Sequence, residues 1–305
     1  MFRNLTIPSI TPIIAASLLS FSLSAGPAWS FSTTGTNIGG GLGSCTWLPG
    51  GSGTQPAFEP SGIVWDDFTG ALWLVGDEGQ IARMLRDGTH TSCWSLPSGV
   101  DLESIAVTDT INKIYLGVEY PPQILEYNSS STLAPSSTGK SWLLPFPSGS
   151  VTASNGMEGM TWVPNGYHPY PNSSSGGVFF ASSQSNGTIY VFDVNLSVSG
   201  STPVLLDSFT PSTDDDISDL YFSKQTRTLF VLYDTANLLR EMNTNTTSFP
   251  TTHLYTLPAS TTDQEGVTLL PQCPGATTLL YLADDQGATA HNVFSFTNFP
   301  QNCVP

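Results

Sequence analysis

Apolar positions in this chain come in short runs, some alternating with polar residues and some continuous, and each run ends at a turn signal. The clearest case is Ser61-Gly62-Ile63-Val64-Trp65, the turn Asp66-Asp67-Phe68-Thr69-Gly70, and Ala71-Leu72-Trp73-Leu74-Val75. An acid, Glu59, precedes the first run, and Asp77 follows the second. The same order recurs from Glu103 to Glu119, from Glu158 to Gln184, from Asp219 to Asp234 and from Glu265 to Asp285, at intervals of 44 to 61 residues. Period-two alternation bounded by turns predicts strands, and self-similarity on this scale predicts a repeat architecture of the propeller type. The two longer intervals read as loop insertions.

Two further strands follow within each repeat. Gln80 to Leu85 continues the first repeat and is followed, after Arg86-Asp87-Gly88, by Ser92 to Leu96. Third strands recur at Gln123 to Tyr127, Thr188 to Phe192, Leu238 to Met242 and Asn292 to Phe296; fourth strands recur at Ser141 to Leu144, Pro203 to Leu206 and His253 to Leu257. No stretch carries sustained helical periodicity. The expectation is an all-β, five-bladed β-propeller of four-stranded blades. The last repeat lacks a fourth strand, and Ser44-Cys45-Thr46-Trp47-Leu48 echoes Ser92-Cys93-Trp94-Ser95-Leu96. An N-terminal strand around Cys45 to Leu48 is therefore expected to complete the C-terminal blade against Asn292 to Phe296, which removes two open sheet edges.

Composition narrows the setting. Residues 1–30 hold Arg3, an apolar run through Ile13 to Leu19 and Ala28-Trp29-Ser30, the pattern of a secretory signal peptide, which leaves 31–305 as one propeller domain. Pro8, Pro12 and several serines interrupt that run, already short for a span, which argues against an uncleaved membrane anchor; no membrane span is expected in the mature chain. Only 8 Lys and Arg stand against 24 Asp and Glu, a formal net charge of −16, which makes nucleic acid and anionic membrane surfaces poor partners. The 4 cysteines suit two disulfides in a secreted or periplasmic protein. Cys273 with Cys303 is the favoured pair, since both lie at one face of one blade, and Cys45 with Cys93 follows by elimination. Asn128, Asn172, Asn186, Asn195 and Asn245 are glycosylation acceptors if secretion is eukaryotic.

The recurrent acids carry the candidate chemistry. The first strand of a propeller blade lines the central channel, so Glu59, Glu103, Glu158, Asp219 and Glu265 are expected at its mouth. Crowded carboxylates must bind a cation, take up protons or splay into water. Oxygen-only donors in an extracellular protein favour Ca²⁺. The competing reading is that these acids accept hydrogen bonds from turn amides and meet no metal. Asp77, Glu119, Gln184, Asp234 and Asp285 end the second strands at the same face and would wall a pocket there. The chain contains no Gly-x-Ser-x-Gly elbow and no His-Glu-x-x-His. His90, His168, His253 and His291 are scattered over outer strands and a loop and read as surface or packing residues. Lys113, Lys224 and Arg227 fall in turns at the opposite face.

Ser61 to Glu78, Asp101-Leu102-Glu103-Ser104-Ile105-Ala106 and Asn155-Gly156-Met157-Glu158-Gly159-Met160 resemble the SdiA-regulated family, secreted or periplasmic bacterial β-propellers related to the esterase-like domain of phytases. The resemblance runs from about Phe58 to Phe296. A weaker one links the opening motif to gluconolactonases, calcium-dependent propellers with six blades; this chain has no sixth repeat, which puts their catalytic residues out of reach. The resemblance implies a propeller and leaves two function classes open. One is recognition of a small molecule, glycan or protein at a Ca²⁺-loaded mouth. The other is metal-dependent hydrolysis of an ester, lactone or phosphodiester.

Overall fold

The computed structural model describes residues 34–45, 58–96, 100–212, 216–258, 263–270, 278–285 and 291–300. Strand β1 (Thr36–Asn37) comes first, and a 3-10 turn follows at Gly39–Ser44. Blade I comprises β2 (Pro60–Asp66), β3 (Ala71–Gly76), β4 (Gln80–Met84) and β5 (Ser92–Ser95). Blade II comprises β6 (Leu102–Ala106), β7 (Lys113–Val118), β8 (Gln123–Asn128) and β9 (Ser136–Leu143). Blade III comprises β10 (Met157–Pro164), β11 (Gly177–Ser183), β12 (Thr188–Asp193) and β13 (Val204–Phe209). Blade IV comprises β14 (Ile217–Ser223), β15 (Thr228–Tyr233), β16 (Leu238–Asn243) and β17 (Thr251–Thr256). Blade V comprises β18 (Gln264–Leu270), β19 (Thr278–Asp285) and β20 (His291–Phe299), with β1 as its fourth strand.

All five sheets are antiparallel meanders, as short turns between sequential strands require. Burial falls along each blade: every residue of β10 is buried, whereas the last strand of the same blade, β13, has none buried. The first strands therefore sit innermost. They close a ring in which β2 packs on β6, β6 on β10, β10 on β14, β14 on β18 and β18 on β2. The apolar core is divided the same way, into five clusters that each join two neighbouring blades. Blade faces thus bury one another around the ring, which is why the inner strands, such as β3 and β11, are buried on both sides. Trp73 and Trp142 are fully buried in two of these interfaces.

Closure departs from the expectation. Thr36 pairs with Ser295 and Asn37 with Phe294, so the closing strand is Thr36–Asn37 and not the segment around Cys45. The Asn37 amide group donates to Asn292 Oδ1 at 2.7 Å, and the Ile38 N–H donates to the Val293 carbonyl at 2.7 Å. The echo between Cys45 and Cys93 has another cause: the two are disulfide-bonded, with Cα atoms 5.6 Å apart, which ties the entering chain to the outer strand of blade I. Gly35 permits the approach, because a Cβ there would lie 2.7 Å from the Phe296 ring. Trp47, Leu48, Cys273, Cys303 and the leader at 1–30 lie outside the described residues. Among the described residues no helix is long and apolar enough to cross a membrane.

Candidate functional site

Each innermost strand opens with a register shift against its neighbour. Pro60 pairs with Gly76 but Gly62 with Val75, and the same step separates Leu102 from Ser104, Ile217 from Asp219 and Gln264 from Gly266; in blade III it separates Met157 from Met160. A bulge leaves one residue unpaired and re-aims its side chain. The bulged positions are Ser61, Glu103, Glu158, Ser218 and Glu265. Two residues earlier stand Glu59, Asp101, Gly156, Asp216 and Asp263. One residue later stand Gly62, Ser104, Gly159, Asp219 and Gly266. The five acids expected as one ring therefore occupy three levels. Glu103, Glu158 and Glu265 share the bulge, Glu59 lies one level out, and Asp219 lies one level in.

The three bulge glutamates lie within electrostatic reach of one another. Burial raises the proton affinity of Glu103 above that of a free glutamate, and the charges of Glu158, Asp101 and Glu265 raise it further. Glu158 is buried, and its carboxyl is likewise held well above the ordinary range, by burial first and then by Glu265 and Glu119. Glu265 is pushed up to about 8 by burial, with Asp234 and Asp285 adding repulsion. Glu103 also belongs to the tightest group of oxygens: one carboxylate oxygen from each of Asp101, Glu103 and Glu119 lies within 4.8 Å of the others. Glu119 is raised to about 7 by burial and by a hydrogen bond shared with Asp101.

Asp219 does something different. Its Oδ1 accepts the Leu220 N–H of its own strand at 2.7 Å, and its Oδ2 accepts the Val267 N–H at 2.8 Å, which pins strand β14 to strand β18. On the other side a Cβ at Gly159 would lie 2.6 Å from the Asp219 backbone, so only glycine fits at that approach. Burial still raises the Asp219 carboxyl well above its ordinary range, against the lowering effect of both amides. Glu59 is raised by burial and by Asp285 and Glu78.

The residues that end the second strands sit beside the outer level. The amides of Glu119, Gln184, Asp234 and Asp285 donate to the carbonyls of Asp101, Gly156, Asp216 and Asp263, at 2.9 to 3.3 Å. This repeated bond places the ends of these second strands beside the openings of the innermost strands. Two side chains reach across to the next blade: Glu119 Oε1 accepts the Gly156 N–H at 3.0 Å, and Asp234 Oδ1 accepts the Gln264 N–H at 2.9 Å. Gln184 Oε1 accepts from Asn155 Nδ2 at 2.8 Å. Asp77, raised to about 6 by burial and then by Glu59 and Glu78, keeps one buried oxygen without a hydrogen bond. Asp101, Asp216 and Asp263 were not among the expected site residues. A signal existed, because each lies two residues before a bulged Glu or Ser, as Glu59 does before Ser61.

Residues 57–287 match a family model described as phytase-like, with the esterase-like activity of phytase. No curated protein matches. Among solved structures, glutaminyl cyclase from Myxococcus xanthus is 10% identical with a TM-score of 0.53 over 82% of this chain and 94% of that one, a likeness of fold. A nidogen/laminin complex is 14% identical with a TM-score of 0.45 over 74% of this chain and 72% of that one.

Proposed function

Since the chain belongs to the phytase-like family, described by the esterase-like activity of phytase, we propose that its acidic mouth binds Ca²⁺ and takes an ester ligand there for hydrolysis. The observation that carries this reading is the convergence of Asp101, Glu103 and Glu119, three oxygen donors with ligand atoms within 4.8 Å. Their chemistry fits a hard cation, and such crowding is relieved by positive charge. These three residues would hold the ion, and Glu119 is already oriented by the Gly156 amide. A bound cation supplies a Lewis acid for the ester oxygen and draws an otherwise repelled anion to an acidic protein. Glu158, on the neighbouring blade, feels the charges of Glu119 and Asp101, keeps its proton more tightly than a free glutamate, and would give or take one at the reacting ester. The Cys45–Cys93 disulfide supports secretion into an oxidising compartment.

A recognition role without turnover is the second reading. It is favoured by the places of three histidines away from the mouth: His90 in an outer turn, His168 buried in the 165–176 loop, and His253 held by Glu241 at 2.7 Å on an outer strand. The deciding assay is turnover of p-nitrophenyl acetate, p-nitrophenyl phosphate and phytate with Ca²⁺ or EGTA. The hydrolase reading expects activity with Ca²⁺, loss on chelation, and a decrease of about a hundredfold or more in Glu158→Gln. Calcium binding with no turnover of any ester would leave recognition as the function.

A further inference from the structure

At the other end of the ring, away from the acids, the innermost strands and their turns enclose a concavity of about 280 Å³. Its apolar lining comes from four blades, and its aromatic rings from three of them: Trp65 and Phe68 of blade I, Trp162 of blade III, and Tyr221 and Phe222 of blade IV, with Val107 contributed by blade II. Asp67, Asp109 and Lys224 stand among these rings. The turn in blade I holds its residues in place for presentation. Asp66 is buried and uses both carboxylate oxygens on that turn, accepting the Phe68 N–H at 2.9 Å and the Thr69 hydroxyl at 2.7 Å. The backbone of Phe68 is held in this way, while the residue remains 57% exposed. Asp67 Oδ1 accepts the Trp65 indole N–H at 2.7 Å and so orients that ring. The Tyr221 hydroxyl is anchored on the Leu269 carbonyl at 3.0 Å.

The charge at this mouth selects among ligands. Lys224 is paired with Asp109 at 2.9 Å, which leaves Asp66 and Asp67 uncompensated within the lining. An anion would meet that surplus and the net charge of −16 on the whole chain. Aromatic faces attract cations through their quadrupoles, and rings combined with carboxylates are the chemistry that recognises alkylated ammonium groups. The volume of about 280 Å³ falls just below the range of drug-sized ligand pockets, roughly 300 to 1,000 Å³, and so suits a small head group. We propose that this aromatic mouth binds an organic cation, a quaternary or alkylated ammonium head group, between Trp65, Phe68 and Tyr221 and beside Asp67. The site is at the face opposite the candidate ester site and does not depend on that assignment.

The test is titration of the full chain with choline chloride and with tetramethylammonium chloride, followed by calorimetry and by tryptophan fluorescence, since Trp65 and Trp162 both line the pocket. N-acetylglucosamine serves as the neutral arm. Saturable choline binding is expected, weaker at high salt and weakened about tenfold in Phe68→Ala. Asp67→Asn keeps the acceptor for the Trp65 indole but removes the charge, and should weaken choline several-fold. Phe68 is exposed, so its truncation should leave the melting temperature in place and report binding alone. Absence of saturable binding by both cations, unchanged affinity in both variants, or binding of the saccharide without the cations would overturn the proposal.

Discussion

In calcium-free buffer the protein should melt at a higher temperature at pH 5 than at pH 8.5. Buried carboxyls crowd the mouth, and Glu103, Glu158 and Glu265 all hold their protons more tightly in the folded chain than in the unfolded one. A carboxyl with a raised folded pKa contributes stability that is complete below the unfolded value and is lost as pH rises through the folded one. For Glu265 that window runs from the ordinary glutamate value of 4.5 to about 8. Each tenfold change in proton affinity is worth about 1.4 kcal/mol, so this residue alone bounds the loss at roughly 4 to 5 kcal/mol. Among the described residues Asp87 is the carboxyl shifted downward, and it is an exposed turn residue held by Thr89. Calcium should reverse the loss, because a cation favours the ionised oxygens. At a hundredfold excess over its dissociation constant it should add about 2.7 kcal/mol at pH 8.5, and far less at pH 5 where protons compete. Scanning calorimetry over pH, with Ca²⁺ and with EGTA, reads both effects. Glu158→Gln combined with Glu265→Gln should raise the calcium-free melting temperature at pH 8.5, and Asp101→Asn combined with Glu103→Gln, which removes two of the three proposed ligands, should abolish the calcium response. Wild-type melting that ignores both calcium and chelator at pH 8.5 would sink the metal reading, and with it the calcium-dependent hydrolase.

Replacing Asp219 should have a large effect of the opposite sign. Asp219→Ala removes the acceptor of two buried N–H groups, those of Leu220 and Val267, at the seam between blades IV and V. A buried donor left without a partner costs about 1 to 3 kcal/mol, so the expected loss is roughly 2 to 6 kcal/mol. Asp219→Asn retains one acceptor and turns the other into a donor facing a donor, so it should destabilise as well, by a smaller amount. The asparagine variant is the informative one: it should melt lower than the wild type at pH 8.5 and still gain stability from calcium. An Asp219→Asn protein that melts higher, or that no longer responds to calcium while folded, would show that this carboxylate acts with the bulge glutamates. Urea unfolding with and without Ca²⁺ separates the two cases.

The recurrence of a polar start, an apolar run, a turn and a second apolar run was enough to determine five antiparallel blades. Blade faces must bury one another, and that demand writes itself into each strand as near-continuous apolar residues, such as Ala71 to Val75 and Val178 to Ala181. The presence of acids at the openings of the innermost strands was equally legible, since it repeats with the blades. Their depth along the axis was decided by tertiary structure. A bulge inserts one residue opposite its neighbour strand, so Ser61 and Ser218 fall in register with Glu103, while Glu59 joins Asp101 and Asp263 one level out. The same step turns Asp219 from the axis into the seam between blades, where two amides claim it. Ring closure escaped the sequence for a related reason: Thr36 and Asn37 form too short a pairing to show alternation, and their partners lie more than 250 residues away. Alternation reports which face of a strand is buried; register and long-range pairing depend on where other strands arrive, and only the closed ring supplies that.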